Sequence, residues 1–238
     1  MRGEASRISD RVSRDELAPK LRSTGKDAWR IGNELFTITN VLDHTVQLER
    51  ALTDPSRPVD DKIGVLKELI GAQAHPMTLE IMSDLVGRKW SRAAHIANAV
   101  EDFGVDAMMY YADATDATLQ VSIELSELHS ALLNLPVVRA KLYDYQATSE
   151  ARVKLFREVF SGKTLNKVTM RLAEHATCNL RRRRYLETIQ CQVHINSVVV
   201  PTVLGGMRIQ VGDEVTDNTV VAQLQNLHRK VQTEATPA

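Results

Sequence analysis

Apolar residues recur every three or four positions along most of this chain, the spacing that gathers side chains on one face of an α-helix. The pattern extends from about residue 26 to residue 190. It predicts a set of short and medium amphipathic helices that pack on one another. The pattern is interrupted at Asp54–Pro55, between Gly71 and Pro76, around Ala112–Asp116 and at Gly162.

The hydrophobic period shortens to two residues near position 192, as in a β-strand. Apolar and polar side chains alternate from Val193 to Asn196 and again from Met207 to Val211. Gly205–Gly206 and Gly212–Asp213 supply turns on the two sides of the second run, because glycine allows a positive φ and aspartate favours turns. This pattern predicts a small hairpin.

A final helix is expected after the hairpin. Asp217 or Asn218 can cap it, because either side chain accepts hydrogen bonds from the exposed amides of a first helical turn. Its apolar stripe consists of Val220, Leu224, Leu227 and Val231. The predicted fold is therefore mainly α, with a bundle of amphipathic helices over residues 1–190 and a small α+β segment with a terminal tail over residues 191–238.

The helical part contains an internal repeat. A shift of 90 positions places Glu34–Leu35 on Glu124–Leu125, and the register holds from Glu34 to Glu68 without a gap. This match predicts a duplicated helical unit over about residues 30–112 and 118–190; the alternative is a chance alignment of two helical stretches. Further matched pairs are Leu42 with Leu132, Leu52 with Leu142, Asp54 with Asp144 and Lys62 with Arg152.

The composition of the chain excludes some classes of function. The chain has 238 residues, of which 30 are basic and 30 acidic, so its formal net charge is zero. This balance argues against a protein built mainly to bind nucleic acid or an anionic membrane surface. The longest apolar stretch, around Val198–Val200, falls well short of the roughly 18 residues of a membrane-spanning helix. Any contact with a membrane is therefore expected to pass through a partner.

Three local clusters each match part of a functional motif, but a structural role is favoured for each of them. Gly162–Lys163–Thr164 lacks the earlier glycine and the strand of a phosphate-binding loop, so it is interpreted as a helix end. His175 and Cys178 lie one helical turn apart, but no second pair of ligands accompanies them. Arg181–Arg184 is interpreted as a solvated helix end or a docking point for an acidic segment. No catalytic residue, cofactor or metal is expected.

The segment from Pro201 to Asp217, PTVLGGMRIQVGDEVTD, resembles the signature of the ATP synthase delta subunit family, which includes the mitochondrial oligomycin sensitivity conferral protein. The resemblance is strong over residues 193–231 and looser over 30–190. The segment Leu52–Pro55 and the duplicated unit resemble the longer, actinobacterial-type form of this subunit. The motif residues are Gly205, Gly206, Arg208, Gly212, Asp213 and Asp217.

This resemblance implies a non-catalytic peripheral-stalk subunit of the F-type ATP synthase. The helical part would receive N-terminal segments of the alpha subunits, and the C-terminal part would hold the end of the b-type stalk subunit. The subunit would resist the torque of the rotating central stalk, without cofactor or nucleic acid. It would lie peripherally at the cytoplasmic side of the cell membrane. The alternative function is a helical adaptor, or peptide-binding module, unrelated to the synthase.

The chain departs from the family in one place. The family normally has a strand and a helix between its helical domain and the strand that matches Val193–Val200. Here Arg181–Gln190 leads almost directly into Cys191, so this strand–helix pair is expected to be absent. Val200 also replaces the acidic residue that the family usually has before the proline. The b-stalk contact is therefore the part of the expectation that the sequence supports least.

Overall fold

The computed structural model describes residues 3–180, 208–211 and 214–217. The chain divides into two compact units, Met1–Thr188 and Ile189–Ala238. The described residues are mainly α, which confirms the predicted fold class. The helices are α1 Glu4–Ser23, α2 Ala28–His44, α3 Val46–Thr53, α4 Val59–Ile70, α5 Pro76–Gly87, α6 Ala94–Ala114, α7 Thr118–Leu133, α8 Pro136–Leu142, α9 Ser149–Val159 and α10 Lys167–Cys178, with a 3-10 turn at Gly25–Asp27.

The second unit contains two short strands within its described residues. Strand β1, Arg208–Val211, pairs antiparallel with strand β2, Glu214–Asp217. In this register Arg208 lies opposite Asp217 and Val211 lies opposite Glu214. The expected strand around Val193–Val200 and the final helix fall outside the described residues.

The helix ends follow from local chemistry. Pro76 occupies the first turn of α5, where its missing N–H removes no hydrogen bond, and Nδ1 of His75 accepts a hydrogen bond from the Met77 amide at 3.1 Å. At α10 the Oδ1 of Asn166 accepts from the Val168 amide at 2.9 Å. These caps satisfy amides that lack a partner within the helix.

Helix α1 has no apolar stripe in its first half, and the sequence pattern did not indicate it. Its buried face there consists of Ser6, Ser9 and Ser13. The Ser6 hydroxyl lies 2.8 Å from Nδ1 of the buried His95 on α6, and it also accepts from the Ser91 amide at 2.8 Å. Polar contacts of this kind bury a helix face that a hydrophobic period cannot reveal.

The five helices α1–α5 recur as α6–α10. Helices α6 to α9 begin 90 positions after α1 to α4, and α10 begins 91 positions after α5. We refer to Glu4–Gly87 as the first repeat and Ala94–Cys178 as the second repeat. The single extra residue lies between α9 and α10.

Equivalent carboxylates, half-buried Glu34 and buried Glu124, link equivalent helices in the two repeats. Glu34 on α2 accepts from the His75 amide at 2.8 Å and from the Thr78 hydroxyl at 2.6 Å. Glu124 on α7 accepts from the Asn166 amide at 2.9 Å and from the Thr169 hydroxyl at 2.5 Å. Each carboxylate therefore ties the start of the fifth helix of its repeat to the second.

Equivalent cations bind the end of that fifth helix. The Lys62 ammonium on α4 donates to the Val86 carbonyl at 3.4 Å. At the matching position on α9, Nε of Arg152 donates to the Thr177 carbonyl at 3.0 Å. A positive charge is favourable there, because the carbonyls at a helix C-terminus carry partial negative charge.

The hydrophobic core lies in three clusters. The largest is centred on the first repeat and α6, and a second lies where α2 meets α6, α7 and α10. The third holds the second repeat together through Leu128, Leu142, Phe156 and Phe160. The first repeat thus shares its core with α6, whereas α7 to α10 have a cluster of their own, and the middle cluster joins the two.

Glycines allow α2 and α6 to cross closely. A Cβ on Gly104 would lie 2.7 Å from the Phe36 ring, and a Cβ on Gly32 would lie 2.8 Å from the Met108 methyl group. Both distances are shorter than side-chain atoms tolerate. At Gly104 the crossing therefore depends on the absence of a side chain. At Gly32 the flexible end of Met108 can move, and the tighter constraint is the Gly104 carbonyl oxygen, 3.2 Å from an added Cβ.

Replacement of Glu124 by glutamine tests the carboxylate links. Burial raises the pKa of Glu124, but hydrogen bonds from Thr169, the Asn166 amide and Gln120 outweigh it and leave the pKa below its ordinary value. A carboxylate whose pKa is lowered by folding contributes its full stabilisation at pH values above the pKa of the unfolded chain. That contribution is lost as the pH falls through the pKa of the folded protein. We expect Glu124→Gln to lower the free energy of unfolding by about 2 kcal/mol at neutral pH.

Urea unfolding between about pH 7 and pH 2.5 measures this effect. The difference between the two proteins should shrink steadily below about pH 4.5, because the unfolded wild-type chain takes up a proton on Glu124 at a higher pH than the folded protein does. Glu34→Gln is the matched variant in the first repeat, where hydrogen bonds from Thr78, the His75 amide and Arg30 likewise outweigh burial and lower the pKa. A difference that is independent of pH would contradict the assigned charge.

Candidate partner-binding surfaces

The residues of the C-terminal motif are only partly described. Arg208 is the first residue of β1 and Asp217 the last residue of β2, and the pairing places them opposite each other. Gly205, Gly206, Gly212 and Asp213 fall outside the described residues. The helix that Asp217 was expected to cap also falls outside them.

The candidate chemical clusters of the helical part have structural contacts. Lys163 follows helix α9, and its ammonium pairs with Glu127 at 2.9 Å. Nε2 of His175 lies 2.9 Å from Oε1 of Glu101, and both side chains are buried. The Cys178 carbonyl accepts a hydrogen bond from Arg152 at 2.9 Å. The Arg181–Arg184 run lies outside the described residues.

The described residues contain neither a metal-binding cluster nor a membrane-spanning helix. No three His, Cys, Asp or Glu side chains in this part of the chain are placed to hold a metal ion together. Within the same part, no helix combines the length and the apolar character that crossing a membrane requires.

The two repeats meet at a seam in which α2 is held between α6 and α10. The Phe36 ring of α2 stacks on the His175 ring, with centroids 3.8 Å apart and planes 12° apart. The Arg171 guanidinium lies over the same Phe36 ring, 4.9 Å from its centroid. Glu101 on α6 fixes His175 from the other side. The stack joins one helix of the first repeat to two helices of the second.

Polar contacts extend this seam along α2. Nε of Arg171 donates to Oδ1 of Asn33 at 2.6 Å, and burial lowers the pKa of this guanidinium. Asn179 donates to Asp43 at 2.8 Å. At the opposite end the Lys167 ammonium lies over the Trp29 ring at 4.6 Å, a cation–π contact. No sequence signal indicated this seam, because the α2 residues and their partners on or just after α10 lie more than 130 positions apart.

A groove of about 540 Å³ lies between α2 and α4 in the first repeat. Trp29, Ile38 and Leu69 supply apolar surface, and Leu69 is more than half exposed. Arg30 crosses the end of the groove and donates to the Gln73 carbonyl at 2.6 Å. Apolar walls with polar groups at the edge suit an amphipathic helix.

Comparisons with known proteins agree with this architecture. A family model described as ATP synthase delta (OSCP) subunit matches residues 182–231. A protein of Bifidobacterium longum called ATP synthase subunit delta is 77% identical over the full length of both chains. Proteins of the same name from Bifidobacterium adolescentis and Beutenbergia cavernae are 65% and 26% identical, covering 99% and 95% of this chain and 100% and 98% of their own lengths.

Helical repeats with a surface that suits a further helix are typical of a structural subunit of a larger assembly. The full-length relative at 77% identity makes the identification specific. This chain belongs to the ATP synthase delta (OSCP) subunit family, a family of structural, non-catalytic subunits. This membership excludes the alternative hypothesis of a helical adaptor unrelated to the synthase.

The alignments also reveal an internal shortening. The alignment with the Bifidobacterium longum protein runs over 278 positions and covers both chains completely, 40 positions more than the 238 residues of this chain. At least 40 residues of that relative therefore have no counterpart inside this chain. A shortening of this size is in keeping with the absent strand–helix pair that the sequence indicated.

Proposed function

We propose that this chain, a non-catalytic peripheral-stalk subunit of the F-type ATP synthase, binds N-terminal segments of the alpha subunits with its helical part. The part from residue 191 onward would hold the end of the b-type stalk subunit. The observation that carries the proposal is the full-length similarity to proteins called ATP synthase subunit delta. In this role the chain would lie peripherally at the cytoplasmic side of the cell membrane.

Among the described surfaces, the groove of the first repeat is favoured as the binding site of the alpha segment. The groove between α2 and α4 offers apolar walls, while Asn33, Thr37 and Gln73 offer polar groups beside them. A helix that lies in such a groove buries its apolar stripe and keeps its polar face in water. A long apolar contact of this kind holds a helix without covalent chemistry.

Resistance to the torque of the central stalk requires a firm connection between the two repeats. A connector that yields under load would let the catalytic head turn with the central stalk. The stacked Phe36, His175 and Arg171 side chains and the close crossing at Gly104 fix α2 against both α6 and α10. This seam supports a role in which the helical part transmits force as one body.

Calorimetry with the full chain and a synthetic peptide of the alpha N-terminus tests the proposal. We expect a complex with a dissociation constant of about 10 μM or tighter. Leu69→Asp places a charge in the groove and should weaken binding at least about tenfold, a loss of about 1.4 kcal/mol. Ile123→Asp, on an exposed position of α7, is the matched control and should leave the affinity unchanged.

Three results would count against parts of this proposal. No detectable heat or complex at tens of micromolar peptide, a concentration above the expected constant, would contradict alpha binding. A loss of affinity with Ile123→Asp instead of Leu69→Asp would move the binding surface to the second repeat. A purified synthase that lacks this chain yet couples proton flow to ATP synthesis would contradict the stalk function itself.

A further inference from the structure

The groove between α2 and α4 and the seam between the repeats share two residues of α2. Trp29 and Asn33 both line the groove. The same two residues also bind side chains of the second repeat, which lie on α6 and α10. Part of the groove in the first repeat is therefore held in place by the second repeat.

The half-buried Trp29 ring is held by two side chains of the second repeat. Its centroid lies 5.5 Å from that of Tyr111 on α6, and the two ring planes are tilted by 55°. The ammonium of Lys167, the first residue of α10, lies 4.6 Å from the Trp29 centroid and 4.3 Å from the Tyr111 centroid. The cation attracts both rings, because the face of an aromatic ring is negatively polarised. These contacts restrict the rotamers that Trp29 can adopt.

The Asn33 amide is fixed by hydrogen bonds at both of its ends. Its Oδ1 accepts from Nε of Arg171 on α10 at 2.6 Å, and its Nδ2 donates to the Trp29 carbonyl at 2.8 Å. Arg171 is itself held over the Phe36 ring, which stacks on His175. The orientation of Asn33 is therefore set by α10, the same helix that holds Trp29.

The equivalent positions of the second repeat lack this chemistry. The residues 90 positions after Trp29 and Asn33 are Leu119 and Ile123, which are 73% and 51% exposed. An aliphatic side chain can form neither the cation–π contact nor the amide hydrogen bonds described above. Of the two equivalent helices, α2 is therefore the one whose side chains at these positions are ordered by the other repeat.

Side chains that are ordered before a partner arrives favour tight binding. The immobilisation of a side chain with several rotamers costs free energy, which reduces the affinity when it occurs during binding. In this chain Trp29 and Asn33 are already restricted by Lys167 and Arg171. Such a coupling is reciprocal, so an occupied groove in turn stabilises the docking of α10 against α2.

We propose that the second repeat preorganises the groove of the first repeat for the alpha segment, with Lys167 as a positioning residue that acts through Trp29. This proposal rests on the proposed function, because it concerns the same groove and the same alpha segment. Lys167 does not itself line the groove. Its replacement should therefore change the affinity only through the side chains that it holds.

Calorimetry with the full chain and the synthetic alpha peptide tests this preorganisation. Lys167→Met keeps an aliphatic stem but removes the charge, so we expect the affinity to fall about three- to tenfold. Lys167→Arg should restore most of the affinity, because a guanidinium also binds aromatic faces. Lys163→Met is the matched control: it removes the same charge from a residue that pairs with Glu127, and it should leave the affinity unchanged.

A double-mutant cycle distinguishes this mechanism from a direct contact between Lys167 and the peptide. Trp29→Leu keeps an apolar side chain in the groove but removes the ring that Lys167 holds. In the Trp29→Leu background, Lys167→Met should have no further effect on the affinity.

Hydrogen exchange provides the reciprocal measurement. The amides of residues 167–178 should exchange at least about threefold more slowly when the peptide is bound, because an occupied groove stabilises the docking of α10. Unchanged exchange of α10 in the complex would contradict the coupling.

Failure of the preorganisation and failure of alpha binding give different results. A wild-type chain that binds no peptide would contradict the proposed function, and the preorganisation with it. Wild-type affinity in Lys167→Met would overturn the preorganisation alone. An undiminished effect of Lys167→Met in the Trp29→Leu background would indicate a direct contact, and an equal loss in Lys163→Met would indicate a long-range effect of charge. Either result would overturn the role of Lys167 as well.

Discussion

Arg152→Met is expected to lower the free energy of unfolding by about 3 kcal/mol. The guanidinium is buried and donates to four backbone carbonyls. It reaches Thr177 at 3.0 Å and Cys178 at 2.9 Å at the end of α10, and Asp144 at 3.2 Å and Ala147 at 2.5 Å before α9. Methionine fills a similar volume but donates nothing, so these carbonyls lose their partner inside the protein.

Urea unfolding of the full chain measures this loss, and Lys62→Met is the matched control in the first repeat. Lys62 makes one contact of 3.4 Å with the Val86 carbonyl, so its replacement should cost only about 1 kcal/mol. Arg152→Lys should recover part of the stability, because a lysine can reach one or two of the four carbonyls. Equal losses for Arg152→Met and Lys62→Met would show that the extra carbonyl contacts contribute nothing.

Gly104→Val is expected to destabilise the protein by about 3 kcal/mol through overpacking at the crossing of α2 and α6. A Cβ at this position would lie 2.7 Å from the Phe36 ring, and that ring stacks on His175 at 3.8 Å. Phe36 cannot move away without breaking this stack. The strain should therefore spread from the crossing to the seam between the repeats.

A double-mutant cycle tests that mechanism. Phe36→Ala removes the ring that the new side chain would strike, so the combined variant should lose clearly less stability than the sum of the single losses. Gly64→Ala in α4 is the control, because nothing lies within 4 Å of the added Cβ, and it should stabilise the helix by about 0.5–1 kcal/mol. Additive losses in the cycle would contradict a direct clash with Phe36.

The four breaks predicted from the sequence pattern all fall at junctions between helices of the structure, although other junctions, such as that between α2 and α3, were not predicted. The predicted breaks at Asp54–Pro55 and Gly162 coincide with the ends of α3 and α9. Local signals sufficed there, because proline, glycine and capping side chains act on their own helical turn. Helix α1 was not indicated, since serines make up the buried face of its first half. A polar helix face can be recognised as buried only when its partners, such as His95, are known.

The repeat is visible in the sequence because side chains at equivalent positions make equivalent hydrogen bonds. Glu34 and Glu124 match at a shift of 90, and in the structure both accept from an amide and a threonine hydroxyl of a later helix. Lys62 and Arg152 match by charge and bind the same kind of helix end. The shift predicted these pairs, whereas their partners became apparent only in three dimensions.

By itself the sequence determined the mainly α fold class, the family and the shift of 90 positions between matched residues, because periodicity, matched residues and the motif around Gly205–Asp217 are local properties of the chain. Only the tertiary structure decided which faces of equivalent helices are covered. Trp29 and Leu119 hold equivalent places in their repeats, yet one lies beneath a lysine of α10 and the other is exposed. The physical reason is that burial depends on contacts between distant segments.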